Sequence, residues 1–345
     1  MAYSSITKPS EQFNTLLWTG DGTSSRDITG AGFQPDFTWI KDRDGTFSHI
    51  LSNSTSGDNK FLTSNSNAAE STDSTKFRTF VSDGIQVGNH NGVNASSNKY
   101  VAWNWKGNGG TEVSNTDGSI TSNVQVNSTN GFSIVRYTGT GSAATVGHGL
   151  GSTPDLVISK NTSPGDWNVY HESFALNERI KLNSTGAKNT NTSIFAALPT
   201  STTISIGTGG DINTNGNTHY FWCYKNVKGF SKIGSYTGNG NADGAFIYTG
   251  FKPAFVLVKQ SSAAGENWFI CDSKREGYNA ENNRLLPDAN SAESTDSPID
   301  ILSNGFKARQ SGAAVNGSGA TYIYAAFAEH PLVANVSGGL PATAR

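Results

Sequence analysis

Apolar residues recur along this chain in short runs, each bounded by Gly, Ser, Thr, Asn and Asp rather than by charged helix formers. Some runs are continuous, as in FVLV at 255–258 and LVI at 156–158, which suits a central strand buried on both faces. Others alternate. Val101, Trp103 and Trp105 share one face of a strand, as do Tyr220, Trp222 and Tyr224, and Ile323, Ala325 and Phe327. Such a stripe is expected to point into a sandwich core, where each aromatic ring buries a large area. Asp83-Gly84 and Asn304-Gly305 carry hairpin chemistry before short strands. Helix is expected to be minor, limited to single turns near Asn67 to Glu70 and Asn290 to Glu293.

The runs come in three sets. WTGDG (18–22), YTGTG (137–141) and YTGNG (236–240) each lead to a proline, an apolar run and a lysine: PDFTWIK at 35–41, PDLVISK at 154–160 and PAFVLVK at 253–259. Each set closes on an aromatic strand, YVAWNWK at 100–106, HYFWCYK at 219–225 and YIYAAFA at 322–328. Trp18 and Tyr137, Pro35 and Pro154, Lys41 and Lys160, Gly88 and Gly207, and Trp103 and Trp222 are all 119 residues apart. A shared offset among unrelated landmarks marks an internal repeat. From the second set to the third it drifts from 99 at the YTG motif to 101 at Trp167 and Trp268, as loop indels would cause.

The predicted fold is all-β, with three tandem antiparallel β-sandwich modules of jelly-roll or concanavalin-like kind and little helix. The modules cover 13–106, 131–228 and 229–330, flanked by an N-terminal arm at 1–12 and a C-terminal arm at 331–345. Residues 107–130 belong to no copy and have linker composition, although TDGSI and NVQVN within them could pair as short strands. Modules two and three adjoin without a gap, so they are expected to form a rigid pair with module one more independent. The arms are where docking to neighbouring subunits is expected.

Composition narrows the function. Charged residues make up 15% of the chain and the formal net charge is −2, with no basic block, which argues against a nucleic-acid partner. No apolar stretch approaches the ~20 residues of a membrane helix, so no membrane insertion is expected. The N-terminus has no secretion-signal pattern. Cys223 and Cys271 fall in different modules; a disulfide is open, and two buried thiols fit better.

No catalytic or cofactor motif stands in its required context. GTGSAA at 139–144 has the spacing of a dinucleotide fingerprint, but TVGHGLG follows instead of a helix. Asp42-Arg43-Asp44-Gly45 opens like a calcium loop without its remaining ligands and reads as a turn with solvated acids. The six histidines have no metal-ligand spacing; glycosidase chemistry needs two carboxylates facing a bond, and the few Glu residues are scattered, none recurring in all three modules at a strand end. The chain is therefore read as a non-enzyme without cofactors or metals. Trp167 and His171, which would share a strand face, are the candidates for a glycan site.

The combination of TG-x-G, PDLVISK, WNVYH or WFICD, and YVAWNWK resembles a domain of marine bacteriophage virion proteins of tail-fibre-like or structural kind, over nearly the whole chain. GFSKIGSYTGNGNADGAFIYTGFKPAFVLVK at 229–259 is the most specific stretch. The resemblance implies a virion component assembled in the host cytoplasm, with other virion proteins as partners and no catalytic residues to carry over. On that basis the leading expectation is a tail-fibre or appendage protein that contacts the host surface, by glycan binding, as a homo-oligomer for which a trimer is the first guess. The alternative is a capsid decoration, head fibre or tail adaptor with a purely structural role.

Overall fold

The computed structural model describes residues 4, 6–275, 279, 283–296 and 298–331. Nearly all of its regular structure is antiparallel β. Three four-stranded arrays repeat one strand order. In the first, Phe13–Thr19, Lys99–Trp105, Phe37–Asp42 and Ile50–Asn53 lie side by side. The second runs Phe132–Thr138, Thr218–Tyr224, Leu156–Asn161 and Asn168–His171, and the third Ser231–Thr237, Thr321–Pro331, Phe251–Gln260 and Phe269–Asp272. The last strand of each unit thus inserts between the first two, so its aromatic residues sit at the sheet centre.

Each array carries a smaller sheet on its outer side. In the first unit Arg26–Thr29, Gly84–Val87 and Phe77–Val81 cover Leu16, Trp18, Ile40, Tyr100 and Ala102 in a separate core. In the second, Ala144–Gly147 and Thr203–Ile206 do the same over Val135, Tyr137, Phe221 and Cys223. Phe246–Tyr248, Gly305–Ala308 and Ile299–Leu302 form the third. In the hairpins the turn residues are Ser82–Asp83 and Ser303–Asn304, and the glycine opens the returning strand. A Cβ at Gly84 would lie 2.0 Å from Ile28 O, and one at Gly305 2.0 Å from Ile247 O, so close strand approach is what excludes a side chain there.

The alternating stripe points elsewhere than expected. Trp103 and Trp105, Tyr220, Trp222 and Tyr224, and Ala325 and Phe327 all belong to one core shared by the three arrays; units one and two keep separate cores beneath their small sheets, and that of unit three is continuous with the shared one. Trp105, Tyr224 and Phe327 occupy the same register position, opposite Phe37, Leu156 and Phe255. Their rings form a triangle, with centroids 6.2, 5.5 and 5.5 Å apart. Both faces of the central strands are buried, one against the small sheet and one against the other two units.

That shared core corrects three further expectations. Unit one is not independent, since its aromatics pack directly on both others. Residues 107–130 are not a loose linker: Ser122–Asn127 pairs along Phe132–Thr138 and Val113–Asn115 pairs outside it, extending the second sheet. Asp36 anchors the start of the segment by accepting the N–H groups of Gly107, Gly109 and Gly110. The helical turns are Pro9–Glu11, Asn91–Asn94 and Gly210–Asn213, while Asn67 to Glu70 and Asn290 to Glu293 are irregular. Ile6 and Pro9 of the N-terminal arm are buried against the chain itself. Past Pro331 the C-terminal arm lies outside the described residues. Cys223 and Cys271 are buried in different cores and form no disulfide with each other.

Candidate functional site

Trp167 and His171 do not form a surface site. Trp167 is fully buried and stacks on Trp222 at 5.5 Å, and His171 is 1% exposed. Their place is the seam between units. His49, Trp167 and Trp268 stand at one register position, four residues before Asn53, His171 and Asp272, which pair with Phe37, Leu156 and Phe255. Trp167 Nε1 donates to Thr63 O at 3.0 Å, and Trp268 Nε1 to Lys181 O at 2.9 Å. His49 Nε2 lies 2.9 Å from Leu286 O. The three bonds run from unit two to one, three to two, and one to three, closing a ring. A second ring of backbone bonds runs the other way, from Glu70 N to Thr162 O, Lys188 N to Ser261 O and Glu293 N to Arg43 O.

The refrain glycines are held by residues the sequence reading passed over. Asn94, Asn213 and Asn316 are fully buried at the close of the loop before each final strand. Their Oδ1 atoms accept the N–H of Asp21, Thr140 and Asn239, and their carbonyls accept Gly22, Gly141 and Gly240. The aromatic of each refrain completes the clamp: Trp18 Nε1 donates to Val93 O, Tyr137 Oη to Ile212 O and Tyr236 Oη to Val315 O. The available signal was the recurring apolar–Asn pair at 93–94, 212–213 and 315–316.

The lysines that end the apolar runs are also internal. Lys41 Nζ donates to Asp42 O and Gly45 O, Lys160 Nζ to Asn161 O and Ser163 O, and Lys259 Nζ to Glu266 O and Thr185 O. Burial lowers each to about 8. Carbonyl oxygens hold these cations, and among the described residues no acid pairs with them within bonding distance, so they brace loops. Asp42 in the same turn is buried, not solvated; its Oδ1 accepts the N–H groups of Asp44 and Gly45. Among the described residues no group of three or more His, Cys, Asp or Glu could hold a metal.

Two places depart from the repeat. Glu70 and Glu293 occupy equivalent seams, yet Glu293 is bonded by Arg43 (2.7 Å) and Arg275 (2.7 Å), whereas Glu70 meets Lys60 at 3.6 Å. The positions of Arg43 and Arg275 are taken by Thr162 and Ser56, by register with Lys41/Lys160 and Asp272/Asn53. A polar cleft of about 210 Å³ results, lined by Ser56, Glu70, Thr162 and Tyr220 among others. Burial raises the Glu70 pKa.

The second departure is a surface cleft of about 550 Å³ in unit three, lined by Asn226, Lys228, Lys232 and Tyr248 among others. Tyr248 is 54% exposed and Phe246 48%, on the same face of one strand. The matching positions hold Gly147 and Thr145 in unit two and Thr29 and Asp27 in unit one. The scaffold therefore does not require aromatics there. Beside the cleft Glu172 hydrogen-bonds Asp155; burial, that bond and the Asp155 charge lift its pKa to about 7, against the pull of Lys232. Carboxyls that share a hydrogen bond are closer than the ~5 Å or more that glycoside cleavage needs.

A family model described as "Domain of unknown function (DUF7483)" matches residues 8–331, and the chain belongs to that family. No curated protein matches the chain.

Proposed function

We propose that this chain is a non-enzymatic structural protein of a bacteriophage virion, a tail-fibre or appendage component that contacts the host surface through glycans. Each unit is read as a jelly-roll or concanavalin-like sandwich, its large and small sheets enclosing one core. The reading is supported by the resemblance in the refrain, the proline–lysine runs and the aromatic closing strands, and by the way the chain spends its repeated residues. The Asn clamps, carbonyl-held lysines and seam rings all brace the scaffold.

The observation that carries contact with a glycan is the pair Phe246 and Tyr248. Two aromatics half open to solvent beside a cleft, where both sister units are polar or small, are an addition to the scaffold. The alternative role, capsid decoration or tail adaptor, draws on a different observation. The three units close into a ring, so one chain already offers the approximate threefold arrangement that a threefold site on a particle would accept.

Immunogold labelling of purified particles with antibody against this chain tests the reading. Label at the tail tip or along a fibre is the expected result. Label over the capsid surface would favour decoration, and unlabelled particles that lack the chain by mass spectrometry would overturn both.

A further inference from the structure

Each seam places one charged side chain where a backbone bond crosses to the next unit: Glu70, Lys188 and Glu293. Two of the three are answered from within the chain. Lys188 Nζ donates to Glu178 at 2.7 Å and lies 5.6 Å over the ring of Phe174. Glu293 accepts Nε (3.0 Å) and Nη2 (2.7 Å) of Arg43 on its outer side and Nη1 of Arg275 (2.7 Å) on its inner side. The Arg43 side chain is 13% exposed and that of Arg275 fully buried.

Glu70 keeps the same backbone geometry, its N–H donating to Thr162 O at 2.8 Å as that of Glu293 donates to Arg43 O at 2.8 Å. The inner arginine has a substitute. Ser56 stands at the position of Arg275 and donates its hydroxyl to Tyr220 Oη at 3.2 Å. Tyr220 itself replaces Val101 and Ile323, by pairing with Lys160, Lys41 and Lys259. Among the described residues the outer arginine has none. Thr162 takes the position of Arg43, and the cleft of about 210 Å³ opens there. Lys60 comes to 3.6 Å from the carboxylate, beyond hydrogen-bond reach, with 42% of its side chain in solvent.

The walls decide what fits. Three hydroxyls on them have their protons committed: Thr55 Oγ1 donates to Asn53 Oδ1, Ser56 Oγ to Tyr220 Oη and Thr162 Oγ1 to Thr218 O. What they offer a ligand is lone pairs. Arg136 on the rim is bonded at two nitrogens by Glu112, so its charge is already matched. Acceptors around a carboxylate call for a group that only donates, which a guanidinium does through five N–H bonds. A sulfate or carboxylate would meet lone pairs and the Glu70 charge instead. We propose that the cleft receives the guanidinium of an arginine side chain on another protein chain, which pairs with Glu70 as Arg43 pairs with Glu293 and displaces Lys60 into solvent. This protein contact is separate from the glycan contact at Phe246 and Tyr248.

Its test is a calorimetric titration of the purified full chain with N-acetylarginine amide, with N-acetyllysine amide and sulfate as comparators. Expected is saturable binding of the arginine amide with a Kd of about 1–10 mM, the range of one small contact. The lysine amide should bind at least about fivefold more weakly, because its ammonium cannot bridge both carboxylate oxygens, and sulfate should give no heat. Glu70→Gln should abolish the binding at an unchanged melting temperature. Thr162→Arg should supply the missing group from within the chain, as Arg43 does, so that binding is lost and the melting temperature rises by about 1–2 °C. No heat with the arginine amide up to about 50 mM, undiminished binding by Glu70→Gln, or sulfate binding in its place would overturn the proposal. So would a Thr162→Arg chain that still binds or that melts below the parent.

Discussion

Trp39 donates its indole N–H to Nδ1 of His49 at 2.8 Å, and this bond sets how unit one meets unit three. With Nδ1 accepting, the ring proton must sit on Nε2, which then donates to Leu286 O at 2.9 Å. Trp167 and Trp268 reach the matching carbonyls in one step. At the third seam the chain uses a smaller ring oriented by a neighbouring indole. Burial and the charge of Lys41 hold the His49 pKa down at about 3, so the imidazole is neutral and the bond pattern stable near neutral pH.

That closure predicts one cooperative unfolding transition for the whole chain. The aromatic triangle of Trp105, Tyr224 and Phe327 belongs to all three units at once, and none can open without exposing it. Scanning calorimetry should give a calorimetric enthalpy close to the van't Hoff value. Two resolved transitions, one assignable to residues 13–106, would refute the shared core. Trp167→Phe, which removes the bond to Thr63 O and leaves part of the buried indole volume unfilled, should cost about 1–3 kcal/mol, and Trp167→Ala about 3–5 kcal/mol.

Stability should rise with pH from about 4 to 6.5. His49 is lowered to about 3, and His171 and His219 to about 4, in each case chiefly by burial. Across this window the unfolded chain takes up protons at these sites and the folded chain does not. Stability is therefore full above the unfolded value and lost as pH falls, by about 1.4 kcal/mol per unit for each histidine. Glu172, raised to about 7, acts in the opposite sense but is exposed and screened. Lys41, Lys160 and Lys259, lowered to about 8, add a second rise between pH 8 and 10. Tyr100, Tyr220 and Tyr324, raised to about 12, oppose it beyond. Urea midpoints equal at pH 5 and 7 would contradict the histidine assignment.

The clamp on the refrain predicts a large effect at a residue far from any cleft. Asn213 Nδ2 donates to Ser142 O (2.7 Å) and Gly207 O (2.8 Å), and its Oδ1 accepts Thr140 N–H (2.8 Å). Asn213→Ala removes the partner of three backbone groups, Gly207 O in a buried bond and Ser142 O and Thr140 N–H in part-buried ones, and should cost about 1–3 kcal/mol. Ser142→Ala, whose backbone makes the bond, should be nearly neutral. Thermal melts of the two variants would decide, and an Asn213→Ala protein within about 0.5 kcal/mol of the parent would count against the clamp.

Much of this scaffold was legible because its signals are local. The refrain, the proline–lysine runs and the closing strands are each set by residue types within a few positions, and strand alternation follows from geometry. What stayed hidden is which of two apolar faces looks where. Tyr100 and Ala102 on one face and Val101, Trp103 and Trp105 on the other are both hydrophobic, so period two alone could not assign the aromatic stripe to the core between units. In 107–130 the alternation of NVQVN allowed the strand at Ser122–Asn127, while the polar makeup hid that it extends the second sheet. Trp167 and His171 suggested a site because a Trp near a His fits either a surface or a seam. Phe246 and Tyr248 were passed over because AFIYTGF reads as an ordinary strand; only register against Thr145 and Gly147 shows them to be extra.

The sequence AESTDS occurs twice, at 69–74 and 292–297, and supplies a matched test of what a buried charge contributes. Glu70 and Glu293 lie in near-identical sequence and equivalent seams, and both donate their N–H to the unit beside them. Glu293 also neutralises Arg275, whose guanidinium is fully buried and bonded to Asp272 and Ile270 O. Removing that charge leaves a buried cation short of a partner, so Glu293→Gln should destabilise by about 3–5 kcal/mol. Glu70 faces a half-exposed lysine at 3.6 Å and a serine, Ser56, in place of two arginines, and burial raises its pKa, so loss of its charge strands no buried cation. Glu70→Gln should therefore be neutral or slightly stabilising at pH 7 and, by removing a group that opposes the rise of stability with pH, should widen the difference in stability between pH 5 and 7. Equal losses in the two variants, measured by urea denaturation, would show that the arginines and not the seam geometry had been given too much weight.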